Sequence, residues 1–311
     1  MSVLICGSFA YDNIMVFPDQ FKNHILPDKV HMLNVAFLVP ELRREFGGCA
    51  GNIAFNMKLL GDEPVPMGTV GSDFATYAAW MDKFSIIRRH VHVKDEHFTA
   101  QAYITTDIDD NQITAFHPGA MNLAHETKIS EAQNIKLGII APDGRDGMIQ
   151  HAQQFADAGI PFIFDPGQGL PMFDGEDLLQ FARQATYIAL NDYEAQLFED
   201  RTGLPPEEIA KLVEALIITR GAQGSHIYTE GKRIDIPCAK AEKVVDPTGC
   251  GDAYRAGLLH GILHGKDWEM TGRIASLLGA IKIEQHGTQN HHFTIESFAT
   301  RFEKSFGMQL S

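Results

Sequence analysis

The sequence is poor in positive charge. It contains 26 Lys and Arg residues against 40 Asp and Glu residues, which gives a formal net charge of −14. Nucleic acids and anionic membrane surfaces attract basic patches, so this deficit argues against both as partners. No apolar run approaches the length that spans a bilayer. The N-terminal segment has no basic stretch before an apolar one, so residues 3–6 predict a first β-strand and not a signal peptide.

Cysteine is also scarce. The four cysteines lie far apart in the chain, show no C-x-x-C pairing, and two of them stand in glycine-rich stretches where a disulfide would restrict a turn. This pattern predicts reduced thiols in a cytoplasmic protein. The residues concerned are Cys6, Cys49, Cys238 and Cys250.

A third absence concerns the first strand. A dinucleotide-binding dehydrogenase would place G-x-G-x-x-G after it, but the chain has Gly7-Ser8-Phe9-Ala10 there. From residue 135 onward, strand-like and helix-like segments alternate, which predicts a mostly parallel sheet with helices on both faces. Right-handed crossovers then bring the ends of the strands to one edge of the sheet. With 311 residues and 44% hydrophobic content, the chain has enough apolar material for a full core.

The stretch from residue 246 to 257 carries the clearest chemical signal. Its glycines, Gly249 and Gly251, stand where a turn leads into an apolar helix. Glycine permits a close backbone approach, and a helix N-terminus offers unpaired N–H donors, so the turn is suited to an anion. Asp252 lies inside this anion site. It is either a helix cap or a base that takes a proton from a hydroxyl attacking a phosphoryl group.

The same stretch, DPTGCGDAYRAG, resembles the signature of the ribokinase-like (phosphofructokinase-B) carbohydrate and nucleoside kinases. The resemblance implies that Asp252 is the catalytic base. It also implies that the N–H groups of Gly249, Cys250 and Gly251 form an anion hole. Pro247 stands where many members of the family have Thr, a departure that leaves the Gly-Cys-Gly-Asp core intact.

Two N-terminal motifs extend the resemblance to the acceptor side. Asp12 follows the first strand and is similar to the family's Asp that binds two sugar hydroxyls; the alternative is a turn Asp that satisfies its own backbone. The segment from Gly47 to Asn52 is similar to the G-G-x-x-x-N signature. By this resemblance, Gly48 allows close backbone approach to the sugar and Asn52 hydrogen-bonds its hydroxyls.

On the nucleotide side, Asn191 and Glu194 resemble the family's N-x-x-E motif. The resemblance implies that they organise Mg²⁺ through its waters, and Mg²⁺ does retain waters readily. The alternative is a helix-capping Asn followed by a surface Glu.

Three further positions resemble the family's T-x-G-x-x-G segment for the ATP phosphates: Thr219, Gly221 and Gly224. The polar loop over residues 286–292 is expected to flank the nucleotide base, with Asn290 as a candidate contact. Asp246 is a candidate ligand for a monovalent cation such as K⁺. The expected cofactors are therefore ATP and Mg²⁺, with K⁺ as a further candidate.

The expected architecture is a single ribokinase-like α/β domain over residues 1–311, a three-layer sandwich with a small β-sheet lid. β-rich segments at about residues 13–46 and 88–118 interrupt the α/β alternation and are assigned to this lid. A strand is expected within residues 29–39. A small sheet is marginally stable alone, so it must pack on the main domain, on a partner's lid or on the substrate.

The expected activity is transfer of the γ-phosphate of ATP to a primary hydroxyl. The first lid segment is largely apolar, and Phe37 and Phe116 are candidate contacts for a flat base. This composition looks more like the adenosine kinases and related nucleoside kinases than like ribokinase or fructokinase. It favours the 5′-hydroxyl of adenosine over a free sugar such as ribose or fructose. The apolar residues could instead form the lid core or a dimer seam, so both a monomer and a homodimer through the lid are expected.

Overall fold

A nine-stranded sheet is the largest element of the structure. The computed structural model describes residues 2–25, 34–109 and 111–310. β12 runs antiparallel to both of its neighbours, β11 and β13, whereas the other neighbouring pairs are parallel. In spatial order the strands are β13 (Lys232–Ile236), β12 (Ser225–Thr229), β11 (Ala215–Thr219), β10 (Tyr187–Asn191), β9 (Phe162–Phe164), β8 (Ile135–Ile140), β1 (Ser2–Cys6), β4 (Glu63–Gly71) and β5 (His90–Lys94).

Helices cover both faces of this sheet. In β1, Val3 and Ile5 join one hydrophobic core while Leu4 and Cys6 join another, because successive side chains of a strand point to opposite faces. The predicted three-layer architecture is therefore confirmed. One face carries α1 (Cys49–Leu59), α2 (Ala75–Lys83), α7 (Cys250–Leu263), α8 (Trp268–Lys282) and α9 (Ile295–Phe306). The other carries α3 (Arg145–Asp157), α4 (Gly175–Gln184), α5 (Asp192–Thr202) and the short α6 (Pro206–Ile209).

A separate four-stranded sheet forms the predicted lid. Its strands are ordered β3 (Glu41–Gly47), β2 (Ala10–Val16), β6 (Ala100–Thr106) and β7 (Gln112–His117). β2 pairs antiparallel with β3 and parallel with β6, so the two insertions contribute neighbouring strands.

Three local predictions were wrong. The strand-like segment over residues 88–93 belongs to β5, which pairs in parallel with β4 in the large sheet, so the second lid segment begins at β6. Residues 34–39 have no regular structure, and residues 29–33 lie outside the described residues; the pairing strand is β3. The third prediction is a short strand at the β-like residues 242–245 before the glycine turn; these residues form none, and the backbone N–H of Val245 donates to the Ile283 carbonyl beyond α8.

The far end of α7 is held by a carboxylate from the turn before β4. Asp62 Oδ2 lies 2.8 Å from His260 Nδ1, and Asp62 Oδ1 lies 2.8 Å from His264 Nε2. The two imidazoles reach the same carboxylate because residues four apart lie on one face of a helix. Asp62 is nearly buried, and this contact fixes α7 against the start of β4. Within the described ranges, no helix is both long and apolar enough to cross a membrane.

Candidate active site

A cavity of about 600 Å³ lies between the lid and the edge where the parallel strands end. This volume is within the ordinary range for small-molecule sites. The cavity brings together seven residues that the sequence motifs had placed at the site: Asp12, Gly48, Asn52, Phe116, Gly249, Gly251 and Asp252. Its other lining residues include Ala102, Met121, Gln168, Met172, Thr248 and Thr288. A larger cavity of about 780 Å³, between α6 and the β12–β13 hairpin, contains none of the predicted residues.

The glycine turn opens α7 as predicted. Gly249 has a φ of +79° and stands immediately before the first residue of the helix, Cys250. A Cβ built on Gly251 would meet no atom within 4 Å, so space is open in front of the turn. The N–H of Cys250 donates to the Pro247 carbonyl at 3.1 Å, which leaves Gly249 and Gly251 as the better placed donors of the predicted anion hole.

Asp252 lies in the first turn of α7 and faces the cavity. Its Oδ2 accepts a hydrogen bond from Asn52 Nδ2 at 2.8 Å. Burial, with the charge of Asp165 acting in the same direction, raises the pKa of Asp252 to about 6, although the Asn52 and Cys49 side chains oppose the shift. A carboxylate with this pKa is ionised at neutral pH and basic enough to accept a proton.

The orientation of Asn52 is fixed by Gln289, which the sequence motifs did not identify. Gln289 Nε2 donates to Asn52 Oδ1 at 2.9 Å and to the Tyr77 hydroxyl oxygen at 2.7 Å. Trp80 Nε1 donates to Gln289 Oε1 at 2.9 Å, so both ends of the Gln289 amide are engaged. Because Asn52 Oδ1 must accept, its NH₂ group faces Asp252. The sequence signal was only that Gln289 stands in the polar loop already expected near the nucleotide.

Replacing Gln289 by Met should therefore change the titration of Asp252. The variant removes the donor that orients Asn52, so the hydrogen bond that lowers the pKa of Asp252 is weakened. We expect the acid limb of the pH profile of kcat/KM to move to higher pH, with kcat at neutral pH falling roughly tenfold. Gln196→Glu on the exposed face of α5 is the control. Reduced thermal stability with an unmoved pH profile would show that Gln289 is only structural.

Asp12 lies within β2 rather than in a loop, and the turn alternative for it does not hold. Among the described residues its carboxylate has no hydrogen-bond partner, and it lines the cavity. A Cβ on Gly47 would lie 2.5 Å from Asp12 Oδ2, so the glycine leaves room for the carboxylate. Burial raises the pKa of Asp12 to about 6, and the nearby carboxylates of Glu45 and Asp246 add to the shift. Asp12 is therefore available to accept hydrogen bonds from a ligand.

The backbone conformation and close packing at Gly48 explain why a glycine stands there. Its φ is +84°, and a Cβ there would lie 2.5 Å from the Cα of Phe9. The glycine thus lets the start of α1 approach the segment that enters β2, while contact with a sugar stays a prediction.

Asn191 caps α5 as its alternative interpretation expected, but Glu194 belongs to the same cap and is largely buried, not a surface residue. Asn191 Oδ1 accepts from the N–H of Glu194 at 2.7 Å, and Glu194 Oε2 accepts from the N–H of Asn191 at 2.8 Å. Arg255 donates to Asp165 Oδ1 at 3.0 Å, and its Nη2 lies 3.8 Å from Glu194 Oε2. Burial raises the pKa of Asp165 and of Glu194, and the charge of Arg255 opposes that shift. The carboxylate oxygens of Asp165 and Glu194 keep free lone pairs, so they fit Mg²⁺ held through water.

Several predicted residues lie outside the cavity. Thr219 ends β11 and its hydroxyl donates to the Leu190 carbonyl at 3.3 Å. Gly221 has a φ of +53° with open space around it, whereas a Cβ on Gly224 would lie 2.0 Å from the Ile236 carbonyl oxygen. Asn290 Nδ2 donates to Glu45 Oε2 of β3 at 2.8 Å. Their contacts with a nucleotide stay predictions.

Phe37 is not brought to the cavity. Its ring lies 4.8 Å from that of Phe17 and 5.1 Å from that of Phe21, measured between centroids. Aromatic packing within the first lid segment explains this position. A contact between Phe37 and a base stays a prediction, and Phe116 is the aromatic residue that lines the cavity.

The surroundings of Asp246 do not fit a monovalent metal ion. Asp246 Oδ1 accepts from the N–H of Thr248 and its Oδ2 from the N–H of Gly287, both at 2.9 Å. Lys282 Nζ donates to the Asp246 carbonyl oxygen at 2.7 Å. Burial would raise the pKa of Asp246, but these two N–H groups and the charge of Lys282 lower it below its ordinary value. The Asp246 carbonyl oxygen, one of the oxygens that this residue could offer to K⁺, already accepts from an ammonium group.

Comparisons with known proteins agree with this geometry. The family model described as "pfkB family carbohydrate kinase" matches residues 11–294. A nucleoside kinase of Methanocaldococcus jannaschii is 33% identical over 87% of this chain and 90% of the relative. The solved structure of a Burkholderia thailandensis nucleoside kinase in complex with inosine is 53% identical, covers 99% of both chains and has a TM-score of 0.90. A structure of the same kinase in complex with ADP-inosine has a TM-score of 0.88.

Proposed function

The chain belongs to the pfkB family and is an ATP-dependent kinase acting on an alcohol group, and on that premise we propose that it phosphorylates the 5′-hydroxyl of a purine nucleoside. Adenosine and inosine are the leading acceptors. The observation that carries the proposal is the cavity itself, in which Asp12 and Asp252 share one space with an apolar wall. The relatives from M. jannaschii and B. thailandensis, both nucleoside kinases, support the same acceptor class.

The lining of the cavity matches the two chemical parts of a nucleoside. Asp12 and Asn52 supply a carboxylate and an amide for ribose hydroxyls, while Phe116, Met121 and Met172 supply apolar surface for a base. A free sugar presents hydroxyls on most faces and would leave this apolar surface unused. Asn52 still has one N–H that is not directed at Asp252, so it can bind a hydroxyl of the ribose without losing its hydrogen bond to Asp252.

The mechanism follows from the position of Asp252. Its carboxylate accepts the proton of the 5′-hydroxyl as the oxygen attacks the γ-phosphorus, the bond from that phosphorus to the bridging oxygen breaks and ADP leaves, and Asn52 keeps the carboxylate oriented. The N–H groups of Gly249 and Gly251, at the positive end of the α7 dipole, bind the negative charge of the transferring group. Mg²⁺, when held through water near Glu194, would neutralise phosphate charge. The lid closes over the acceptor and keeps water from the γ-phosphate.

A panel of acceptors with ADP detection tests the proposal. We expect adenosine and inosine to be phosphorylated with kcat/KM at least about 10²-fold above ribose and fructose, because only nucleosides use the apolar wall. Asp200→Asn, an exposed carboxylate on α5, is the control for protein handling. Preference for a free sugar would overturn the nucleoside assignment while leaving the kinase assignment intact.

Two other predictions accompany the proposal. The four cysteines are free in the structure, and a cytoplasmic location stays a prediction. Whether the lid joins two copies of the chain stays a prediction, as does the contribution of Phe37 to base binding.

A further inference from the structure

Lys282 is a lysine without access to solvent. It is the last residue of α8 and its exposed fraction is 0%. Lysine is almost never fully buried unless its charge is paired, so this position needs an explanation. The mechanism described above makes no use of it.

The contacts of Lys282 are with backbone carbonyls near the anion turn. Its Nζ donates to the Asp246 carbonyl oxygen at 2.7 Å and to the Gln285 carbonyl oxygen at 3.3 Å. Burial lowers the pKa of Lys282, while the negative charges of Asp246 and Asp252 oppose that shift. The ammonium therefore replaces its hydration shell with carbonyl oxygens and nearby carboxylates.

This environment is of the kind that binds a monovalent metal ion. Rings of backbone carbonyls replace the water shell of K⁺ in proteins, and an ammonium group carries the same charge at a similar size. A lysine ammonium differs in being covalently tethered, so it cannot be lost at low salt. A K⁺ ion at the Asp246 carbonyl oxygen would lie beside the Lys282 ammonium, so repulsion between the two positive charges opposes its binding.

The tethered charge also holds the turn in place. Asp246 binds Thr248 and Gly287 through its carboxylate, and Lys282 binds Asp246 through the carbonyl, so the ammonium fixes the residue from which the turn begins. The backbone N–H of Asp246 in turn donates to the Ile283 carbonyl at 3.1 Å. The end of α8 thus donates a hydrogen bond to the anion turn and also accepts one from it.

We propose that the ammonium group of Lys282 takes the place of a monovalent metal ion beneath the anion turn, so that the kinase needs no K⁺. Lys282 is a positioning residue: it acts on the phosphoryl group through the turn and does not line the cavity. The inference rests on the proposed kinase function but does not depend on which acceptor is used.

The test compares wild-type enzyme with Lys282→Met in K⁺-free choline chloride, with KCl or NH₄Cl added at constant ionic strength. We expect wild-type turnover to change by no more than about twofold. The Met variant should lose kcat roughly tenfold or more while KM for the acceptor changes little, because the turn loses its fixed charge. In Lys282→Ala, whose short side chain leaves room for an ion at these carbonyl oxygens, added NH₄⁺ or K⁺ should restore part of that kcat. Lys211→Met, an exposed lysine, is the charge-matched control.

Several results would overturn the proposal. Strong activation of the wild-type enzyme by K⁺ would show that the ammonium does not replace the ion. A folded Met variant with normal turnover, or a loss in Lys282→Ala that neither cation restores, would contradict it equally. If the Met variant does not fold, the wild-type titration decides alone. If no acceptor is phosphorylated, the proposed function fails, and the affinity for ADP measured by calorimetry with and without K⁺ still decides the role of Lys282.

Discussion

Replacing Asp252 by Asn should reduce kcat by roughly 10²-fold to 10⁴-fold, the range for loss of a positioned general base. The amide keeps the size of the side chain and can still accept the hydrogen bond from Asn52, so the fold and ADP affinity should be retained. Steady-state kinetics and calorimetry on the same preparation separate these effects. Asp200→Asn, an exposed carboxylate on α5, makes the same chemical change away from the cavity and should behave like wild type.

The pH dependence of kcat/KM tests the role of Asp252 by an independent measurement. The base must be ionised, and burial raises the pKa of Asp252 to about 6, so kcat/KM should fall as the pH drops through that value. Burial raises the pKa of Asp12 to about 6 as well, so two ionisations should steepen the fall in the wild-type enzyme. Residual activity in Asp252→Asn should follow one ionisation only. Near-normal turnover with an unchanged profile would remove Asp252 from the catalytic role.

Replacing Arg255 by Met should cost about 3–5 kcal/mol of unfolding free energy, the range for removing one partner of a buried ion pair. Arg255 and Asp165 are each only 4% exposed, and the guanidinium also donates to the Ala189 carbonyl at 3.2 Å. Without it, Asp165 and Glu194 are left as buried acids without their cation. Urea denaturation at neutral pH measures the loss.

The double variant Arg255→Met with Asp165→Asn provides the internal control. It removes one of the uncompensated charges, so a substantial part of the lost stability should return, and the difference gives the coupling between the two residues. Arg183→Met, on the exposed surface of α4, should change stability by less than about 0.5 kcal/mol. Equal losses in the single and double variants would mean that Arg255 stabilises by packing and not by charge.

Much of the architecture could be predicted because the relevant signals are local. The regular alternation after residue 135 identified the parallel strands, and the glycine turn before Asp252 identified the start of α7. The sheet to which β5 belongs could not be predicted in this way, because its alternating residues suit a lid strand as well as the edge of the large sheet. Only the pairing partner, β4, distinguishes the two, and strand pairing is not encoded in the strand alone.

Contacts between side chains that are far apart in the sequence could not be predicted either. Gln289 meets Asn52 and Lys282 meets Asp246 only after the helices have packed, and neither pair has a motif. Phe37 was a candidate ligand contact because it is apolar, but its neighbours in the structure are other aromatic rings, and its contact with a base stays a prediction. Residue type predicts that a group needs a partner, but the packing of distant elements decides which partner it finds.

The loop from Gly287 to His291 is the last part of the chain to reach the site. It joins the start of the chain by contacts from Thr288 to the Phe46 carbonyl and from Gln289 to Asn52. Because proteins are synthesised from the N-terminus and begin to fold as they emerge, a growing chain can contain every strand of both sheets while this loop is still missing. A chain that has also reached Asp252 carries the carboxylate, but the Asn52 amide beside it is not yet oriented. The Asn52 amide can therefore be oriented only after the loop that carries Gln289 has been synthesised.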